Sequence, residues 1–147
     1  MKPAFQSVDH PRVTPSISVV GAAQCLEFIC KVFGGEVVDR YDGPDGALLH
    51  SEVRVGDSLL MVSEPFGGTA FPGALYIYAP DVDAACAHAV KLGAKALDAP
   101  EDQFSGQRIG RVLDPWGNRW SIATQKEHVS REEVRRRFES WMKDQKR

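Results

Sequence analysis

The feature that most constrains this chain is that it states one pattern twice. An extended run, Thr14 to Val20, leads into an amphipathic stretch, Ala22 to Phe33, where Leu26, Ile29 and Phe33 form one stripe and Gly34-Gly35 supplies the stop. Three strand-forming runs follow, Glu36 to Tyr41, Leu48 to Val55 and Ser58 to Ser63, punctuated by the turn sequences Gly43-Pro44-Asp45-Gly46 and Gly56-Asp57. The second half repeats the order. Ala74 to Ala79 is a strand, Asp81 caps a helix running to Leu92, and Gly93 ends it. Lys95 to Asp98, Arg108 to Leu113 and Arg119 to Thr124 are then strands, with Asp114-Pro115-Trp116-Gly117-Asn118 as the closing turn. Neither strand-helix-strand-strand-strand half can cover its own sheet, so the two are expected to pack together.

The repeat sets the domain organisation. Residues 1–12 form an N-terminal arm, residues 13–125 hold the two modules (13–64 and 74–125), and the Gly- and Pro-rich residues 65–73 join them. Residues 126–147 shift to eight Lys/Arg against five Asp/Glu, and Ser130-Arg131-Glu132-Glu133 reads as a capping box. Val134, Phe138, Trp141 and Met142 then mark an apolar stripe on a docked C-terminal helix. A 147-residue chain with net charge −2 is sized for one domain and carries no general attraction for nucleic acid. No stretch approaches the roughly 18 apolar residues a membrane span needs, and no signal segment opens the chain, so a cytoplasmic protein is expected. The three cysteines, Cys25, Cys30 and Cys86, form no Cys-x-x-Cys pair and read as small apolar residues. No Gly-x-Gly-x-x-Gly or Walker loop appears, so no nucleotide cofactor is expected.

Several residues in this frame carry possible chemistry. His50 lies in an alternating strand with Leu48, Glu52 and Arg54 on its face, either as a hydrogen-bonded strand residue or as an acid, base or ligand donor in a cleft. Glu64 ends the next strand, at a cleft mouth or simply exposed. Tyr76 and Tyr78 are two apart and share a strand face, which suits a wall for a planar ligand or plain packing. Arg108 is placed to bind an anionic group or to pair with Asp102 or Asp114. Ser121 points away from the face of Trp120 and Ile122. His10, His88 and His128 read as incidental, Arg135-Arg136-Arg137 as a solvated helix face, and Trp116 as an exposed or dimer-contact aromatic.

The order of these motifs resembles the vicinal-oxygen-chelate superfamily, the group of glyoxalases, bleomycin-resistance proteins and extradiol dioxygenases, and within it the PhnB-like branch. The carriers are Leu26-Glu27-Phe28 before Phe33-Gly34-Gly35, Gly43-Pro44-Asp45-Gly46 before His50-Ser51-Glu52, and Val55-Gly56-Asp57-Ser58. Asp81-Val82-Asp83, Glu101-Asp102-Gln103-Phe104 through Gly106-Gln107-Arg108, and Asp114-Pro115-Trp116-Gly117-Asn118-Arg119-Trp120-Ser121 complete the set, over about residues 13–125. The resemblance implies an α+β fold of two βαβββ modules in an open, mostly antiparallel, barrel-like sheet, here with a C-terminal helix, usually in a homodimer with a ligand cleft inside the curved sheet.

Metal-dependent members of that group hold one divalent ion with His, Glu or Gln from four sheet positions. Carried over, those positions are Thr14 or Ser16, Met61, Leu75 or Tyr76, and Ser121. A thioether and hydroxyls are poor ligands for such an ion, so no metal and no cofactor is expected. Three readings follow. The chain is a metal-free small-molecule binder with His50, Met61, Glu64, Tyr76, Tyr78, Arg108 and Ser121 as cleft candidates; or a metal-dependent lyase, isomerase or dioxygenase using displaced ligands such as His50 and Glu64; or a dimeric interaction module without ligand.

Overall fold

A computed structural model describes residues 1–145; residues 146–147, the end of the tail segment, lie outside the described residues. The first half runs β1 (Ser16–Ser18), α1 (Ala22–Phe33), β2 (Glu36–Asp42), β3 (Leu48–Val55) and β4 (Ser58–Ser63). The second runs β5 (Ala74–Tyr78), α2 (Val82–Lys91), β6 (Lys95–Asp102), β7 (Gln107–Leu113) and β8 (Arg119–Gln125), followed by α3 (Arg131–Gln145). Each half makes its own open four-stranded sheet, in the orders β1-β4-β3-β2 and β5-β8-β7-β6. The first strand of each is parallel to the last, and the remaining pairs are antiparallel. This is the α+β fold of two βαβββ modules with a C-terminal helix, built as two open mixed sheets.

The chain divides into two compact units, Met1–Gly73 with Pro115–Asn118, and Ala74–Asp114 with Arg119–Arg147. In the first, α1 packs on β3 and β4. Its Ala22, Cys25, Leu26, Phe28 and Ile29 are buried, as are Ile17, Val53, Leu60 and Val62. Each large aliphatic side chain removed from water contributes roughly 1.5–3 kcal/mol, and this stripe is what holds the helix down. Gly34 ends α1 at φ 68°, a left-handed position that glycine occupies without strain. Trp116, in the β7–β8 turn and read from sequence as an exposed or dimer-contact aromatic, is half-buried and meets Phe28 edge-on at 5.6 Å.

In the second unit α2 packs on β6, β7 and β8. Asp81 caps it by accepting from the Ala84 N–H at 3.1 Å. A Cβ on Gly110 of β7 would stand 2.7 Å from the Cys86 sulfur, so only glycine allows this approach of helix and strand.

Other local readings change as well. β1 is three residues long, because only Ser16–Ser18 pairs with β4. β3 does not alternate strictly: Leu48 is buried and Leu49 exposed, because the β2–β3 register shifts between Tyr41 and Asp42 and flips the strand's start. The C-terminal helix docks at few points. Phe138 and Trp141 gather around Phe104 at ring distances of 5.8 Å, yet α3 has no fully buried residue. Only one arm of its capping box forms: Ser130 Oγ accepts from the Glu133 N–H at 3.1 Å, while the Glu133 carboxylate turns to Arg136 and Arg137. No described helix is long and apolar enough to cross a membrane.

Candidate functional site

Each sheet has one face under its helix and one turned away, and strand register fixes what the second face carries. On the second sheet, Tyr76 is level with Ser121, Ser121 with Arg111, and Arg111 with Asp98. The next row is Tyr78, Ala123, Ile109 and Glu101. Tyr76 and Tyr78 are half or more exposed, with rings 5.6 Å apart and edge to face. The Tyr76 hydroxyl donates to Gln107 Oε1 at 2.6 Å, and Gln107 Nε2 donates to the Tyr78 oxygen at 2.7 Å. β8 lies between β5 and β7, so this Tyr-Gln-Tyr bridge crosses over it. Burial and the neighbouring Tyr78 raise the Tyr76 pKa, while Arg111 pulls it down.

A groove of about 300 Å³ adjoins this face, lined by Leu97, Ala99 and Ile109 with Asp98, Glu101, Gln103 and Arg111. Its volume is at the small end of ligand pockets. Arg111 reaches Asp98 at 3.5 Å through one nitrogen, which among the described residues leaves most of its donor fork unspent.

On the first sheet the matching row is Ser16, Met61, Glu52 and Asp39. Here the chain itself occupies the face. His10 Nε2 meets Glu52 Oε1 at 2.8 Å, and His50 Nε2 meets Glu52 Oε2 at 2.9 Å. The two imidazoles hold the Glu52 carboxyl below the usual carboxylate range, against a smaller opposing effect of burial. Tyr41 stacks on His50 with ring centres 6.0 Å apart.

Of the residues singled out from sequence, Tyr76, Tyr78 and Ser121 share one face of the second sheet, and His50 and Met61 share one face of the first. Glu64 caps α1: its Oε1 accepts from the Gly21 and Ala22 N–H groups at 3.0 and 2.9 Å. Arg108 points away from the tyrosines. It grips both oxygens of Asp83 at 2.8 and 3.0 Å and reaches Asp102 at 3.3 Å. Sequence reasoning missed His10, Glu52, Gln107 and Arg111. Aligning the halves by their closing turns would have matched Glu52 with Arg111, but nothing local marks His10, which is 42 residues from its partner.

The paired βαβββ sheets define the class of protein, and the comparisons agree. The family model of the Glyoxalase/Bleomycin resistance protein/Dioxygenase superfamily matches residues 8–122. This chain belongs to that superfamily. An uncharacterized protein of Mycobacterium tuberculosis strain H37Rv is 31% identical over 139 residues, covering 85% of this chain and 81% of that one. The fold is shared with a PhnB protein from Bacillus cereus (TM-score 0.65, 14% identity, 78% of this chain and 99% of that one). It is also shared with TnmS3, an antibiotic binding protein from Streptomyces sp. CB03234 (TM-score 0.60, 21% identity, 79% and 99%), and with a lactoylglutathione lyase from Agrobacterium tumefaciens (TM-score 0.58, 19% identity, 79% and 96%).

The superfamily's metal-dependent chemistry needs an ion, and the residues present do not suit one. Register places Ser16 beside Met61 in one sheet and Tyr76 beside Ser121 in the other. Two hydroxyls, a thioether and a phenol lack the imidazoles and carboxylates that a catalytic divalent ion takes. Among the described residues no group of three or more His, Cys, Asp or Glu is arranged to hold an ion.

Proposed function

We propose that this protein binds a small planar molecule without a metal, on the face of the second sheet that carries Tyr76, Tyr78, Gln107, Arg111 and Ser121. The observation that carries the reading is the exposed pair of phenols hydrogen-bonded through Gln107, beside a groove whose guanidinium, Arg111, makes a long 3.5 Å contact to Asp98. Aromatic faces bring apolar contact, and the hydroxyls and guanidinium orient what sits on them. The antibiotic-binding relative of the same fold supports a binding role. The reading includes a homodimer, supported by the exposed Val37, Val38 and Leu97 on the outer strands β2 and β6; equilibrium sedimentation at the monomer mass would refute that part.

The test is thermal unfolding against a panel of neutral, anionic and cationic planar aromatics. A ligand at about 100 times its Kd stabilises the folded state by roughly 2.7 kcal/mol, a shift of several degrees at this size. That shift should vanish in a Tyr76→Ala/Tyr78→Ala variant. A panel that moves neither protein overturns the reading. Chelator-treated protein should show no shift with Zn²⁺, Mn²⁺, Ni²⁺, Fe²⁺ or Mg²⁺, and a selective shift abolished by His50→Ala would overturn its metal-free part.

A further inference from the structure

We infer that the side-chain amide of Gln107 is a placeholder for the ligand's carboxylate, so that the molecule bound here is a small aromatic acid. The inference rests on the binding reading above and names its substrate class. A carboxamide and a carboxylate are both flat, three-atom groups of nearly the same size. The gap between the Tyr76 and Tyr78 hydroxyls already accepts such a group, at 2.6 and 2.7 Å.

The amide uses only part of what that gap offers. It needs one phenol to donate and the other to accept, whichever way it is turned, so one phenolic proton finds no acceptor in it. A carboxylate offers two acceptor oxygens, so both phenols donate to it, and hydrogen bonds to an ionised acceptor are the stronger kind. Its charge has a partner as well. Arg111 is four residues along β7 from Gln107, on the same face, and among the described residues is held by the 3.5 Å contact to Asp98. Its charge is already felt at the Tyr76 phenol.

The neighbouring side chains leave room for the exchange. Ala123, fully buried, and Ser121, nearly so, keep the central strand low between the tyrosines and Arg111. Beside them the groove is mainly polar, and the exposed Leu97 with the edge of Ile109 is its apolar part, against which the ring of the acid can lie. Asp98 and Glu101, on the outer strand β6, repel an acid seated over them, so the carboxylate belongs on the β8 side of Arg111.

Calorimetric titration with 2-naphthoate, 2-naphthamide and 2-naphthylmethylamine tests the assignment. The acid should bind at least ten-fold tighter than the amide or the amine. Gln107→Ala empties the seat and should tighten 2-naphthoate several-fold, whereas Gln107→Glu fills it with a fixed negative charge and should abolish binding. Arg111→Gln should weaken the acid about ten-fold and leave the amide unchanged. Circular dichroism checks that each variant is folded. If Gln107→Ala weakens the acid, the placeholder role is overturned. If the amide or amine matches the acid in wild-type protein, the acid class is overturned while the binding face stands. If no naphthyl compound binds wild type or Gln107→Ala, this inference fails, and the binding reading fails with it only if the broader panel is also silent.

Discussion

The two sheets of this chain are built to one plan and finished differently. Row for row, Ser16, Met61, Glu52 and Asp39 in the first correspond to Tyr76, Ser121, Arg111 and Asp98 in the second. The strand geometry is the same, yet at one matched position a carboxylate stands where the other half has a guanidinium. In the first sheet the chain satisfies that charge itself, with His50 from the same strand and His10 from the N-terminal arm. In the second the charge is left with one long contact and tall aromatic neighbours. A repeat fold thus separates two tasks: the helix-facing positions keep the module standing, and the opposite positions are free to diverge into a self-occupied face and an open one.

If that division holds, the largest effects should come from the helix-facing rows, where the halves are alike. Leu60 and Trp120 occupy matched positions, paired with Val53 and Val112, and both are buried. Trp120→Ala should cost about 3–5 kcal/mol and Leu60→Ala about 2–4, read from urea unfolding midpoints. Trp120 is the costlier loss because its indole also donates to the buried Asp114 at 2.9 Å. A Trp120→Ala cost under 2 kcal/mol would mean the second half does not depend on this row as the first does.

The open faces should respond unequally, and this sharpens the contrast. Glu52→Gln removes the charge that both histidines hold and should cost about 1–2 kcal/mol at neutral pH. Arg111→Gln, its counterpart, loses a half-exposed 3.5 Å contact and should cost under about 0.5 kcal/mol. The pH dependence follows from the lowered Glu52 pKa. A carboxyl more acidic in the folded chain than in the unfolded one contributes stability above the ordinary carboxylate value of 4.5, and that stability is lost as pH falls below it. Wild type should therefore lose stability between about pH 5 and pH 3 more steeply than Glu52→Gln, measured by thermal unfolding at each pH. Equal slopes would remove Glu52 from the account.

These contrasts also show which parts of the molecule could be read from its sequence. Helices α1 and α2 and the β3–β4 and β7–β8 hairpins were legible because their signals are local: an apolar stripe, a capping Asp81, a terminal Gly34, tight turns. β6 runs on from Asp98 through Asp102 although Pro100 and the acidic Glu101 and Asp102 argue against a strand there, because pairing with β7 supplies what composition does not. The tyrosine pair was legible for the same local reason, two residues apart on one strand. Its partner was not. Gln107 lies 29 and 31 residues from the two phenols and has no chemistry that singles it out. Glu64 and Arg108 had the right chemistry and were drawn instead into a helix cap and an ion pair, which only the tertiary register decides.

The narrowest difference between the halves should come at the helix starts, where Glu64, just after β4, and Thr124, near the end of β8, serve the same purpose. Glu64 accepts from Gly21 and Ala22 at the head of α1, and Thr124 accepts from Val82 at the head of α2 at 3.0 Å. The supports are unequal. The N-cap of α1 is Gly21, with no side chain to cap, whereas α2 keeps Asp81 on the Ala84 N–H. Glu64→Ala should therefore cost about 1–2 kcal/mol and Thr124→Val about 0.5–1, by urea unfolding. Glu64→Gln separates the two parts of the effect. It keeps an acceptor for the two N–H groups and removes only the charge facing the positive end of the helix dipole, which amounts to about 0.3–1 kcal/mol. A Gln variant close to wild type makes Glu64 a hydrogen-bonding cap. One as weak as the Ala variant makes the charge decisive.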